Sequence, residues 1–230
     1  MKMAREFSTA QGIALEDYIR IPDTNVLISK EEKFKDHLVW RSSHWALGRE
    51  GLFMLTIPLF IKHYKNVKNA AKGETSLYDG DNNLISQAYA KKLRRKLFSD
   101  CETWLDAHFK LIDKKMHVVY NHRSKDGTIV IDSDIITETL DDETLLGPYK
   151  WPRYLSLSSW LDNPTNQGLP RKSTKKASFE DLTYSPPEHD RVAAFFASGI
   201  TSGLLCTYEP DIGWYHNMPV FACTKISGDK

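Results

Sequence analysis

The 230-residue sequence predicts a single mixed α+β domain spanning 1–230, and three observations carry that expectation. An apolar face at three- and four-residue steps runs over about 81–113, and a period of two takes over at about 117–132. A proline-led apolar run then opens near 186. The chain is long enough to bury one sizeable core. At 41% hydrophobic, 27% charged and 11% aromatic residues, the composition excludes an intrinsically disordered chain. No apolar stretch approaches the ~20 residues a bilayer span requires, so no membrane partner is expected. The polar opening MKMAREFSTAQG lacks the apolar centre of a signal peptide. Cys101, Cys206 and Cys223 are odd in number and lie in apolar neighbourhoods, so buried free thiols and a cytoplasmic setting are expected.

Within residues 1–50 the pattern is weak, with a strand-like run at Tyr18–Ile28 and a charged cluster at Lys30–Asp36. The run LFMLTIPLFI is broken by Pro58, which predicts a strand over 52–57 and a helix over about 59–71 that Gly73 ends. Asp79-Gly80-Asp81 marks a loop, and Asp81 is the expected cap of the long amphipathic helix, about 81–113. Its apolar face is Leu84, Ile85, Ala88, Tyr89, Leu93, Leu97, Cys101, Trp104, Leu105, His108 and Ile112. Alternation in HVVYN and TIVID around Arg123–Gly127 predicts a β-hairpin, about 117–132. The stretch 147–187 is rich in Pro, Ser, Thr and Asn without a sustained period, and is expected to be a long irregular segment that a partner orders. Ser185-Pro-Pro-Glu188 has the form of a capping box, which predicts a C-terminal helix, about 186–206, running through Val192, Phe195, Phe196, Ile200 and Leu204. A last strand is expected within 214–226.

The net charge of +1 conceals segregation along the chain. Residues 60–125 hold fourteen Lys/Arg against seven Asp/Glu, and residues 147–180 hold six against two. Between them, 132–146 carries Asp132, Asp134, Glu138, Asp141, Asp142 and Glu143 and no base. Basic blocks of this kind point to a polyanion. The first candidate surface combines Lys62, Lys65, Lys68 and Lys72 with Lys91, Lys92, Arg94, Arg95 and Lys96. The second is Arg171, Lys172, Lys175 and Lys176, between Trp160 and Phe179. Lys and Arg neutralise phosphates, and interleaved aromatics such as Tyr64 can stack on bases.

Catalytic signatures are absent from the sequence. His37 and His44 are seven apart and His117 and His122 five apart, with no Cys-x-x-Cys or His-Glu-x-x-His spacing, so no metal site and no cofactor are expected. The expected function is therefore non-catalytic binding of nucleic-acid backbone, RNA or DNA, by a subunit with protein partners in a larger nucleoprotein assembly. A mobile-element or defence-system effector such as a CRISPR complex is one such context.

Two short pieces support an alternative. Ile21-Pro-Asp-Thr-Asn-Val-Leu-Ile28 and Asp81-Asn-Asn-Leu-Ile-Ser-Gln-Ala-Tyr-Ala90 resemble two acid-bearing motifs of PIN-domain nucleases. That resemblance implies a divalent-metal nuclease using Asp23 and Asp81. A PIN-like site needs three or four carboxylates, and LTIPLFIKHYKNVKNA, where the middle acid belongs, contains none. A further alternative is a protein-interaction module whose charge blocks meet other proteins and not nucleic acid.

Overall fold

The computed structural model describes residues 13–125, 128–130, 136–147, 153–177, 181–199, 201–211 and 218–226. Asp132, Asp134, Phe179, Ile200 and the start of the last expected strand lie outside them.

The architecture is α+β. A short 3-10 turn (Leu15–Asp17) leads into β1 (Tyr18–Arg20), β2 (Val26–Leu38), α1 (Trp40–Arg49), β3 (Phe53–Met54) and α2 (Ile57–Lys72). β4 (Leu77–Tyr78) and β5 (Leu84–Ile85) precede α3 (Gln87–Ser99), β6 (Cys101–Ile112) and β7 (Lys115–Tyr120). Next come β8 (Arg123–Lys125), β9 (Thr128–Val130), β10 (Ile136–Thr139), β11 (Arg153–Leu155) and α4 (Leu157–Asp162). The chain finishes with β12 (Leu182–Ser185), β13 (Arg191–Ala197), β14 (Ser202–Tyr208) and β15 (Met218–Lys225).

One sheet has the order β10-β7-β6-β13-β14-β12-β11 and a smaller one β1-β2-β15-β3; β4–β5 and β8–β9 are separate two-stranded ribbons. In the larger sheet only β12 and β14 run parallel. Strand β6 lies inside the larger sheet and is buried on both faces. Cys101, Leu105, Ala107 and Phe109 join Phe60, Tyr64 and Val67 of α2, Leu93 and Leu97 of α3, and Phe195 of β13. Trp104 instead joins Trp40 and Leu47 of α1, Met54 of β3, and Val220 and Ala222 of β15. The smaller sheet and α1 thus cover one face of β6, and the α2–α3 pair covers the other. Each large side chain buried there contributes about 1.5–3 kcal/mol.

Several sequence-level expectations hold. The helix begun at Pro58 and ended by Gly73 (φ 83°) is α2, and the last strand is β15. All three cysteines are buried and outside any disulfide, and burial raises the thiol pKa of Cys101 and Cys206. Others are corrected. The long helix over about 81–113 stops at Ser99, starts from a Ser86 cap and not Asp81, and gives way to β6. Cys101, Trp104, Leu105, His108 and Ile112 fall at three- and four-residue steps, so their spacing is helical although Cys101, Trp104 and Leu105 are buried from the two faces of a strand. Within the expected hairpin over about 117–132, Lys115–Tyr120 pairs with β6 and β10, while the ribbon is confined to β8–β9. The C-terminal helix over about 186–206 is the antiparallel pair β13–β14. Its Phe, Val, Leu and Thr content suits strands, and Pro186 and Pro187 follow β12 directly instead of opening a helix. The described residues of 147–187 include β11, α4 and β12, and α1 is an addition that sequence pattern did not suggest.

Candidate functional site

Helix α2 starts where Thr56 Oγ1 accepts from Leu59 N, with Pro58 in the first turn; α3 starts where Ser86 Oγ accepts from Tyr89 N at 3.2 Å. The two run antiparallel. Gln87 Nε2 donates to Ala71 O at 3.4 Å at one end of the pair, and at the other the Tyr64 and Phe98 rings stack at 4.1 Å. Together the helices hold nine Lys/Arg and no Asp or Glu.

Lys62, Lys65, Lys68 and Lys72 follow one another at three- and four-residue steps and so form a single stripe on α2. Lys62, Lys72, Lys91, Lys92, Arg94 and Arg95 are exposed, and Lys65, Lys68 and Lys96 are half-buried. Two of the nine are engaged by acids. Lys96 bonds Glu31 at 2.7 Å and approaches Glu32 at 3.4 Å, which ties the end of α3 to β2, and Lys72 meets Glu74 at 3.3 Å. Among the described residues no ion pair involves Lys62, Lys65, Lys68, Lys91, Lys92, Arg94 or Arg95. The Arg94 guanidinium lies 5.2 Å from the centre of the Phe98 ring, so it sits toward the seam between the helices.

The second basic segment has different surroundings. Lys172 N donates to Glu143 O at 2.8 Å and Leu145 N to Pro170 O at 2.8 Å, so the acidic run's described end is stitched to it. Residues 171–176 carry four bases and 141–146 three acids, a local balance of 4 − 3 = +1. Arg171 also donates from Nε to Pro164 O at 3.1 Å, and the backbone of Lys175 is held by Ser156 and Ser159 of the α4 N-terminus. Lys172, Lys175 and Lys176 remain exposed.

Asp23 lies exposed in the β1–β2 turn (φ 56°), and Asp81 lies exposed in the β4–β5 turn, its amide donating to Asp79 Oδ1 at 3.0 Å. Among the described residues neither belongs to a group of three or more side chains that could share a cation.

One such group does exist among the described residues, and no sequence motif signals it. His44, Asp106 and His122 converge with one ligand atom each inside a 4.8 Å span. On α1 the buried face is Trp40, Ser43, His44 and Leu47, so helical spacing carries His44 inward beside Trp40. Asp106 sits in a β-bulge: successive pairs of β13 with β6 are Val192–His108 and Ala193–Leu105, leaving Asp106 and Ala107 between them. The bulge's backbone is satisfied from outside the sheet. Asp106 N donates to Leu55 O, and Trp40 Nε1 donates to Leu105 O, each at 2.8 Å. His122 follows Asn121, whose left-handed φ of 62° turns the chain after β7. Its amide donates to Asp106 Oδ2 at 3.1 Å and its Nδ1 lies 2.5 Å from Oδ1. His44 Nε2 lies 3.6 Å from the same Oδ1. Trp40 walls the group, edge-on to both imidazoles at 4.3 and 5.0 Å.

Asp106 is fully buried, and its carboxylate charge in such a place demands compensation, by protons on the imidazoles or by a cation. The three residues come from three elements and stand 62 and 16 positions apart, so no short motif could announce them. His108 stands next in the cluster, bonded through Nε2 to Asp190 Oδ1 at 2.8 Å; burial lowers its pKa, and Asp190 only partly opposes this.

No protein-family model, curated protein or solved structure matches the chain.

Proposed function

We propose that the α2–α3 face binds the phosphate backbone of nucleic acid without reading sequence. The observation that carries this reading is the set of seven Lys/Arg on two packed helices that contain no acid and, among the described residues, form no ion pair. Like charges at helical spacing repel one another, and a polyanion that displaces their counterions converts that repulsion into affinity. The α2 stripe from Lys62 to Lys72 is about 15 Å long at the rise of an α-helix. That length matches the axial spacing of roughly four phosphates along one duplex strand.

The aromatic residues shape the expectation further. Tyr64 and Trp160 are fully buried, so neither can stack on an unpaired base. The face offers charge and little π-surface, which favours RNA and DNA alike and no base composition in particular. The second basic segment is left out of the proposed contact because its neighbouring acids nearly cancel it.

Fluorescence anisotropy of mixed-sequence oligonucleotides at low salt tests this. Single strands and duplexes of different composition should bind with affinities within a few-fold of one another, and Lys62→Gln/Lys65→Gln/Lys68→Gln should weaken all of them together. Absence of binding at low salt, or a preference that tracks base identity, would overturn the reading.

A further inference from the structure

We infer that His44, Asp106 and His122 form a binding site for a divalent transition metal of the zinc class, independent of the nucleic-acid face. Two imidazoles and one carboxylate make a donor set that suits zinc, cobalt or nickel; magnesium and calcium prefer all-oxygen surroundings. The 3.6 Å separation of His44 Nε2 from Asp106 Oδ1 is close to the roughly 3.4 Å edge of a tetrahedron with metal–ligand bonds of about 2.1 Å. His122 Nδ1, now 2.5 Å from that oxygen, must open by about 1 Å as the metal takes the place of the hydrogen between them. The bulge that aims Asp106 inward costs ladder pairing, and Leu55 and Trp40 hold it in place. The His122 amide on Oδ2 supplies the outer hydrogen bond that fixes a ligating carboxylate.

The role that fits these surroundings is structural. The three ligands are at most 5% exposed, and Trp40 closes the group on one side, so water and not a polymer substrate would complete the coordination. An ion here links α1, the β6 bulge and the turn after β7. It would fasten α1 against the larger sheet at the point where β6 departs from β13.

Metal-stripped full-length protein titrated with cobalt(II) should take up one equivalent and develop visible d–d absorption, which zinc then abolishes by displacement. His44→Gln and His122→Gln should each weaken cobalt binding by more than about 100-fold, the upper range for loss of a mere outer partner. His189→Gln, an exposed histidine outside the group, should leave it unchanged. The wild-type thermal midpoint should also rise with added zinc, a readout that does not depend on whether the variants fold. No cobalt uptake by the wild type, no thermal shift, or uptake that survives both substitutions would overturn the assignment.

Discussion

His63 faces inward from the otherwise basic helix α2, and its environment makes it an acid sensor of the fold. It is 2% exposed, its Nδ1 meets no hydrogen-bond partner among the described residues, and burial lowers its pKa from 6.5 to about 4. The unfolded chain therefore binds a proton at a pH where the folded chain does not, so stability is retained above pH 6.5 and falls as pH drops toward 4. The loss should approach about 3 kcal/mol at most. Urea unfolding of wild type and His63→Gln across that window checks it, because the variant should lack this part of the slope. Gly168 makes a second residue-level case. Its φ is +80°, and a Cβ there would lie 2.7 Å from Ile57 Cγ2 and 3.0 Å from Pro58 N at the start of α2. Gly168→Ala should cost roughly 1–3 kcal/mol from backbone conformation alone, visible as a lowered unfolding midpoint.

At the scale of elements, the legible parts were those with local chemistry. Pro58 and Gly73 bracket α2 in the sequence as they do in the structure, because a fixed φ and a left-handed cap are properties of single residues. The α3–β6 boundary was not legible. Leu97, Cys101, Trp104, Leu105 and His108 satisfy helical steps, yet after Ser99 they are packed by two different layers, and only tertiary contact decides between the readings. Caps discriminate them experimentally. Ser86→Ala should lower stability by about 0.5–2 kcal/mol, since its side chain caps α3. Ser185→Ala should change it by less than about 0.5 kcal/mol, since β12 ends there and no helix begins. Chemical unfolding of the two variants side by side gives the comparison.

Across the whole molecule, charge segregation in the sequence becomes two unlike surfaces in space. The bases of α2 and α3 gather on a helix pair without acids, whereas those of 171–176 are stitched by main-chain hydrogen bonds to 141–146. The sequence could indicate the first surface because helical spacing aligns Lys62, Lys65, Lys68 and Lys72. It could not indicate that Lys96 serves β2, that Tyr64 turns inward, or that His44 meets His122 across 78 positions, since each depends on long-range packing.

The central claim is that the α2–α3 face binds phosphates through charge, and its most direct measurement is the salt dependence of nucleic-acid affinity. Replacing Lys62, Lys65, Lys68, Lys91, Lys92, Arg94 and Arg95 by Gln should preserve both helices, because Gln is nearly as good a helix former. With about four of the seven in contact, the slope of log affinity against log salt should flatten by roughly three, at 0.7–0.9 for each lost contact. A folded variant that binds with the wild-type slope would contradict the claim and reduce the basic helix pair to a solvated surface.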